Sequence, residues 1–288
     1  MRIPSNSIGD IISFFKNELK DLYNDKELNN IILWTLEHYT GLTKTRLLIQ
    51  KESRVSESVL LKIKFAINDL KKLRPIQYIL GETEFCNLNF VVNENVLIPR
   101  PETEELVKWI TDDNKGSDCL SLLDIGTGSG CIAISISNIM KNWKIDGFDI
   151  SEKAVEVAVE NNKKNNSSVS FSVFDILNKS NWDKAGNYDI IVSNPPYIPE
   201  KEKASMSKNV TEFEPDIALF VPDDSPFVFY EKISDFALEK LNNNGQVYFE
   251  IHENYSQELL KIFEKKNFKE VQIRNDINNK PRMMKLQK

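Results

Sequence analysis

The residues with the most chemistry to offer are Asn194, Pro195, Pro196 and Tyr197, which follow directly on the apolar run Tyr188-Asp189-Ile190-Ile191-Val192-Ser193. Neither proline can donate a ladder hydrogen bond and each fixes its own φ, so a strand entering them stops in a rigid corner. Asn194 offers a side-chain carbonyl acceptor, the prolines offer carbonyls with no competing N–H, and Tyr197 offers a flat face. Such a corner can hold a planar amino group by its two hydrogens while a ring covers it. A proline-rich turn capped by an asparagine is the plainer explanation. The tetrapeptide's place after a strand and downstream of a glycine-rich loop argues against it.

That loop is Asp124-Ile125-Gly126-Thr127-Gly128-Ser129-Gly130, between the apolar runs Cys119–Leu123 and Cys131–Ile136. Strand, glycine loop and helix in that order let the backbone turn sharply and come close to a ligand, with a helix N-terminus behind it. Gly128, Gly130 and Ala133 also satisfy the loose G-x-G-x-x-A dinucleotide fingerprint. Asp149 ends the next strand candidate, Lys144–Asp149, at the distance expected for an acid that binds ribose hydroxyls. Nicotinamide dinucleotide and S-adenosylmethionine both fit this pattern. The tetrapeptide separates them: hydride transfer has no use for a clamp around an amino group, whereas methyl transfer to one does.

On these residues and several further blocks the chain resembles the HemK/PrmC family, the N5-glutamine methyltransferases of peptide chain release factors. The further blocks are Pro75-Ile76-Gln77-Tyr78-Ile79-Leu80-Gly81 with Phe85, then Leu97-Ile98-Pro99-Arg100-Pro101-Glu102-Thr103-Glu104-Glu105-Leu106, and Phe213-Glu214-Pro215 with Ala218-Leu219. The tetrapeptide alone is shared with methyltransferases acting on the exocyclic amines of adenine or guanine in nucleic acid. The block around Arg100 is far more selective. The chain departs from the family at Val221–Pro226, where many members carry a Gly-Glu-Asp-Gly-Leu-like loop. The resemblance implies methylation of the glutamine of a Gly-Gly-Gln loop in class 1 release factors. It implies that Asn194, Pro195, Pro196 and Tyr197 bind and orient that amide. It also implies S-adenosylmethionine bound by Gly126, Thr127, Gly128, Ser129, Gly130, Asp149, Asp175, Ile176 and Asn194, with Arg100 and Thr103 in its wall.

The elements that must position these residues can be traced by periodicity. The first ~75 residues predict helices, with Ile8, Ile11, Ile12, Phe15, Leu19 and Leu22 on one face. Ile31, Ile32, Trp34, Thr35, Leu36 and Tyr39 mark another, stopped at Gly41. Thr43 and Ser56 are N-cap candidates, the latter for a helix turning Val59, Leu60, Ile63, Ile67 and Leu70 inward. The resemblance gives this helical domain, residues 1–75, a part in recognising the protein substrate. Residues 76–100 switch to β-type runs, Tyr78–Leu80, Leu88–Val92 and Val96–Ile98, and predict a hairpin linker. Residues 101–288 then alternate strand and helix, which predicts a mostly parallel α/β sheet with helices on both faces. Strands are expected at Val169–Phe174, Tyr188–Ser193 and Gln246–Ile251, with a turn at Asn242–Gly245 and a closing hairpin of 270–273 with 282–286. The count makes a seven-stranded, Rossmann-like methyltransferase sheet.

Composition bounds the rest. With 41% hydrophobic and 28% charged residues, the chain has the make-up of a soluble globular protein. No stretch approaches the ~20 apolar residues of a membrane span, and Met1-Arg2-Ile3-Pro4-Ser5 lacks the pattern of a secretion signal. Three cysteines, Cys86, Cys119 and Cys131, point to reduced thiols in the cytoplasm. His38 and His252 stand far apart and no Cys/His cluster has metal-ligand spacing, so no metal is expected. Thirty-seven basic against 43 acidic residues give a net charge of −6. Without a dense Lys/Arg stripe to neutralise phosphates, a protein substrate fits better than nucleic acid.

Overall fold

The structure is a computed structural model and describes residues 5–288; Met1–Pro4, part of the segment without a signal pattern, lie outside the described residues. The chain divides into two compact units, one running to Gly81 and including Lys208–Phe213, the other comprising Glu82–Ser207 and Glu214–Lys288. The first holds α1 (Ile8–Leu19), α2 (Asp25–Thr40), α3 (Lys44–Ile49), α4 (Glu57–Leu70) and α5 (Ile76–Leu80). Ser7, Asn24, Thr43 and Ser56 each accept a hydrogen bond from a first-turn N–H of the helix they open, which satisfies a donor that has no intrahelical partner. Gly41, at φ +70°, closes α2. Ile8, Ile11, Phe15, Leu28, Ile32, Leu36, Ile63 and Ile67 meet in this unit's core. Trp34, expected to face inward, is 40% exposed, because it falls off the 3–4 spacing of Leu28, Ile31, Ile32, Thr35 and Leu36. Leu22, also expected inward, is exposed.

Tyr78-Ile79-Leu80 is not a strand. Pro75 precedes the first helical residue and Gly81, at φ +74°, takes the left-handed position after the last, so the segment closes into the single helical turn of α5. The hairpin is shorter than expected, β1 (Glu82–Phe85) with β2 (Leu88–Val91), and turns at Cys86-Asn87. Phe85 and Phe90 bury completely in a core shared with the sheet, each burial contributing ~1.5–3 kcal/mol. The hairpin therefore belongs with the sheet. Val96-Leu97-Ile98 pairs with no strand; the Ile98 N–H donates to the Glu214 carboxylate at 3.1 Å instead.

From there the order is α6 (Pro101–Asp113), β3 (Ser121–Ile125), α7 (Cys131–Ile139), β4 (Lys144–Asp149), α8 (Glu152–Lys164), β5 (Ser170–Val173), β6 (Tyr188–Ser193) and β7 (Ile198–Pro199). After α9 (Lys208–Thr211), in the segment that returns to the helical unit, come α10 (Asp216–Leu219), β8 (Phe220–Val221), α11 (Val228–Lys240), β9 (Leu241–Glu250), α12 (Ser256–Glu264), β10 (Glu270–Asn275) and β11 (Pro281–Gln287). The main sheet has seven strands in the order β10-β11-β9-β6-β3-β4-β5. Strands β3, β4, β5, β6 and β9 run parallel, while β11 is antiparallel to both β9 and β10. Alternate residues feed opposite faces: Leu122, Ile190, Val192 and Tyr248 enter the core under α6 and α7. Leu123, Ile191, Val247 and Phe249 enter the one under α11 and α12. The expected turn Asn242–Gly245 lies inside β9 as an irregularity: Tyr188 pairs with Leu241, yet Ile190 already pairs with Gln246.

The order reverses at β3, which lies between β6 and β4, and Ile125 of β3 stands beside Ser193 of β6. The glycine loop and the Asn-Pro-Pro-Tyr corner thus leave adjacent strands at their carboxyl ends, the switch point where open α/β sheets bind ligands.

Candidate active site

A cavity of about 280 Å³ opens at that switch point. Its wall includes Gly126, Thr127, Gly128 and Ser129 from the loop, Asp149, Asp175, Ile176, Arg100, Thr103, Asn194, Pro195 and Pro196. Two predicted residues stand outside it. Gly130 opens α7 at φ +78°, and a Cβ there would meet the Phe171 ring at 2.9 Å; it is glycine for conformation and packing. Tyr197, the last residue of the tetrapeptide, sets its ring edge-on to His252 at 5.9 Å. Gly128 has φ +55° and open space where a Cβ would be, so the backbone itself forms the cavity floor.

Asp149 is held with care. One carboxylate oxygen accepts from the Gly128 N–H and the other from the Ser151 N–H, both at 2.9 Å. Each oxygen keeps a further lone pair for a ligand hydroxyl. Ser151 also caps α8, accepting from Ala154 N–H. Beneath the loop the fully buried Asp124 accepts from the Thr127 hydroxyl at 2.6 Å, with the Ala133 backbone also favouring its charged form. Burial pushes the Asp124 carboxyl up to about 7 and also raises that of Asp149. Asp175 accepts from the Leu177 N–H through one oxygen, and Phe174 beside it stacks on Phe148 at 4.4 Å.

Arg100 reaches the wall, but its guanidinium pairs with Glu214, which is buried and also accepts the Ile98 N–H. The two sequence blocks around Arg100 and Glu214 are thereby tied into one wall. The chain leaving the tetrapeptide is braced by the divergent loop, since β7 pairs with β8 and Lys201 N–H donates to Asp223 at 3.0 Å.

Two residues that the sequence did not single out complete the site. Asn161, fully buried on α8, exchanges hydrogen bonds with both backbone groups of Val91 and donates to the Ser129 carbonyl. It locks the hairpin to the glycine loop. Glu250, 2% exposed at the end of β9, accepts from the Thr103 hydroxyl at 2.6 Å and from the Tyr197 hydroxyl at 3.2 Å. Thr103 Oγ1 in turn accepts from Asn194 Nδ2 at 3.4 Å. Asn161 sits in a polar helix end that looks solvated in the sequence. Glu250 left a signal, a charged residue closing the apolar run Val247-Tyr248-Phe249 at the ligand end of a parallel strand.

A cavity at the switch point of this seven-stranded sheet, with Asn194, Pro195 and Pro196 in its wall, is the architecture of a Rossmann-like methyltransferase. Residues 103–213 match the Methyltransferase small domain family and residues 10–81 the PrmC N-terminal domain family. The chain is 42% identical to the release factor glutamine methyltransferase of Flavobacterium psychrophilum, over 94% of its own length and 96% of the relative's. It is 39% identical to that of Bacteroides thetaiotaomicron, over 95% and 98%. Among solved structures, the hMettl16 catalytic domain in complex with MAT2A 3'UTR hairpin 6 superposes with a TM-score of 0.56 at 14% identity, covering 80% of this chain and 82% of that one. At that identity the likeness speaks for the fold alone. This chain belongs to the release factor glutamine methyltransferase family.

Proposed function

We propose that the protein methylates the side-chain nitrogen of the glutamine in the Gly-Gly-Gln loop of class 1 peptide chain release factors, with S-adenosylmethionine as methyl donor. The observation that carries it is the Asn194–Tyr197 corner at the mouth of the cavity, in a chain of this family. S-adenosylmethionine supplies a methyl group on a sulfonium, which needs no metal to leave. Asp149 holds the ribose hydroxyls, Asp175 and Ile176 the adenine, and the backbone at Gly126–Ser129 the amino-acid end, with Thr103 and Arg100 behind.

An amide nitrogen is a poor nucleophile because its lone pair is delocalised, on the scale of the ~18–20 kcal/mol barrier to amide rotation. Asn194 Oδ1 and the Pro195 carbonyl accept its two hydrogens, raise electron density on nitrogen and turn the lone pair towards the methyl. These bonds tighten as positive charge develops on nitrogen in the transition state. Orientation alone supplies up to ~7–11 kcal/mol. Tyr197 packs against the amide plane and, with Pro196, excludes water.

The test offers recombinant class 1 release factor and S-adenosylmethionine to the pure protein and maps the product by mass spectrometry. One methyl group is expected on the glutamine side chain. None is expected when that glutamine is changed to glutamate, which brings a carboxylate against two acceptors; unpaired buried groups of this kind discriminate by ~10⁴ or more. Undiminished incorporation into the glutamate variant would place the methylated residue elsewhere.

A further inference from the structure

We infer that Glu250 is a positioning residue that sets which end of the Asn194 amide faces the substrate. The inference rests on the methyl-transfer reading above and concerns a residue two hydrogen bonds from Asn194 and three from the substrate. Burial raises the Glu250 carboxyl, while the Thr103 and Tyr197 hydroxyls and the Arg282 charge favour its ionised form, and in that form it only accepts hydrogen bonds. Both hydroxyls that reach Glu250, those of Thr103 and Tyr197, must therefore donate to it. A hydroxyl has one proton, and at 2.6 Å that of Thr103 is committed to Glu250. Towards Asn194 the Thr103 oxygen can only accept, so Asn194 must turn its NH2 to Thr103. Its Oδ1, which accepts no hydrogen bond among the described residues, is left for the cavity.

The polarity matters because a primary amide substrate brings two N–H donors. A turned-over Asn194 would present NH2 to NH2. The carboxylate is well placed to impose the choice: it is 2% exposed, it ends β9 opposite the start of the tetrapeptide, and the Tyr230 hydroxyl fixes its backbone carbonyl at 2.9 Å. Through Tyr197 the same side chain also tethers the other end of the tetrapeptide. One buried carboxylate thus fixes both ends of the clamp.

Glu250→Met tests this, because it removes the acceptor at similar volume and frees the Thr103 proton to donate to Asn194 Oδ1. With wild-type enzyme first shown to methylate release factor, kcat in E250M should fall ~100-fold or more, the scale of losing one transition-state hydrogen-bonding group, while cofactor affinity by calorimetry stays within about threefold. A purely structural role would not change substrate preference. If polarity is set here, release factor carrying glutamate in place of glutamine should gain roughly tenfold or more as an inhibitor of E250M relative to wild type, since the exposed NH2 now donates to it. Glu250→Gln, which keeps one acceptor oxygen, should fall between and serves if E250M does not fold. Wild-type-like kcat, or parallel loss of cofactor and of both forms of release factor, overturns the inference. A wild type inert towards release factor would instead sink the substrate assignment. The relay is then judged without substrate: the Asn194 side-chain NH2 signal in a nitrogen–proton spectrum, assigned by its loss in Asn194→Asp, must move in E250M, and an unmoved signal overturns it.

Discussion

Asp149 shows how much work one side chain can combine. Its two oxygens are already held by the Gly128 and Ser151 N–H groups, so the carboxylate is oriented before any ligand arrives and spends little entropy on binding. Asp149→Ala removes the acceptor proposed for the ribose and, with it, the tie to the glycine loop. S-adenosylmethionine affinity should drop by at least roughly 1.5–3 kcal/mol, the range for hydrogen bonds to a charged group. Calorimetry on the variant measures it, and an unchanged Kd would contradict the placement of the ribose. Asp124 does different work. An aspartate in the unfolded chain titrates near ~3.9, whereas burial raises Asp124 to about 7 in the folded protein. The folded state keeps a proton that the unfolded chain gives up between those values. The stability Asp124 contributes is therefore fully present below ~4 and is lost as pH rises towards about 7. Asp124→Asn does not titrate. Calorimetric Tm values across that range should show wild type losing ground to the variant as pH rises, and a difference flat with pH would count against it.

At the scale of elements, the cavity depends on segments far apart in sequence being tied by buried polar groups. Glu214 holds Ile98 N–H and Arg100 at once. Glu214→Gln keeps one acceptor but turns an NH2 towards one of these donors. Because Arg100 is a third exposed, most of the expected cost, roughly 1–3 kcal/mol, comes from the unpaired backbone donor rather than the ion pair. Denaturant unfolding measures it, with weaker cofactor binding as the companion result. The same dependence on distant partners explains what the sequence could and could not convey. Strands β3 and β6, the caps Thr43 and Ser56, and the glycine loop carry local signatures, an apolar run, a hydroxyl before a helix, a required positive φ. They were legible. Tyr78–Leu80 looked like a strand because three apolar or aromatic residues have no period of their own; Pro75 and Gly81 decided for helix. Val96–Ile98 had strand-like residues, but its partner is a carboxylate 116 positions on. Asn161 and Glu250 were missed for the same reason: a polar side chain shows in sequence, but not the backbone or hydroxyl it will meet.

For the whole molecule, charge constrains the substrate more firmly than fold does. A domain of similar fold, solved in complex with an RNA hairpin, superposes on this chain, so the fold alone does not choose between nucleic-acid and protein substrates. What differs is the field around them. A protein that holds a polyanion neutralises several phosphates with Lys and Arg, and its affinity falls steeply with salt, by ~10³–10⁵ between 50 and 200 mM for six to ten contacts. This chain carries 43 acidic and 37 basic residues, and many of its cations are already engaged, Lys71 with Glu18, Lys203 with Asp216, Lys266 with Asp235, Arg282 with Asp276 and Glu253. Their charge is partly cancelled by these partners. With tritiated S-adenosylmethionine and equimolar release factor, tRNA, rRNA and DNA in one reaction at low salt, label should enter only the release factor. Excess tRNA should leave its rate unchanged. Label in nucleic acid, or inhibition by tRNA that salt relieves, would show a polyanion-binding face that the acidic balance conceals and would reopen the choice between glutamine and an exocyclic base amine.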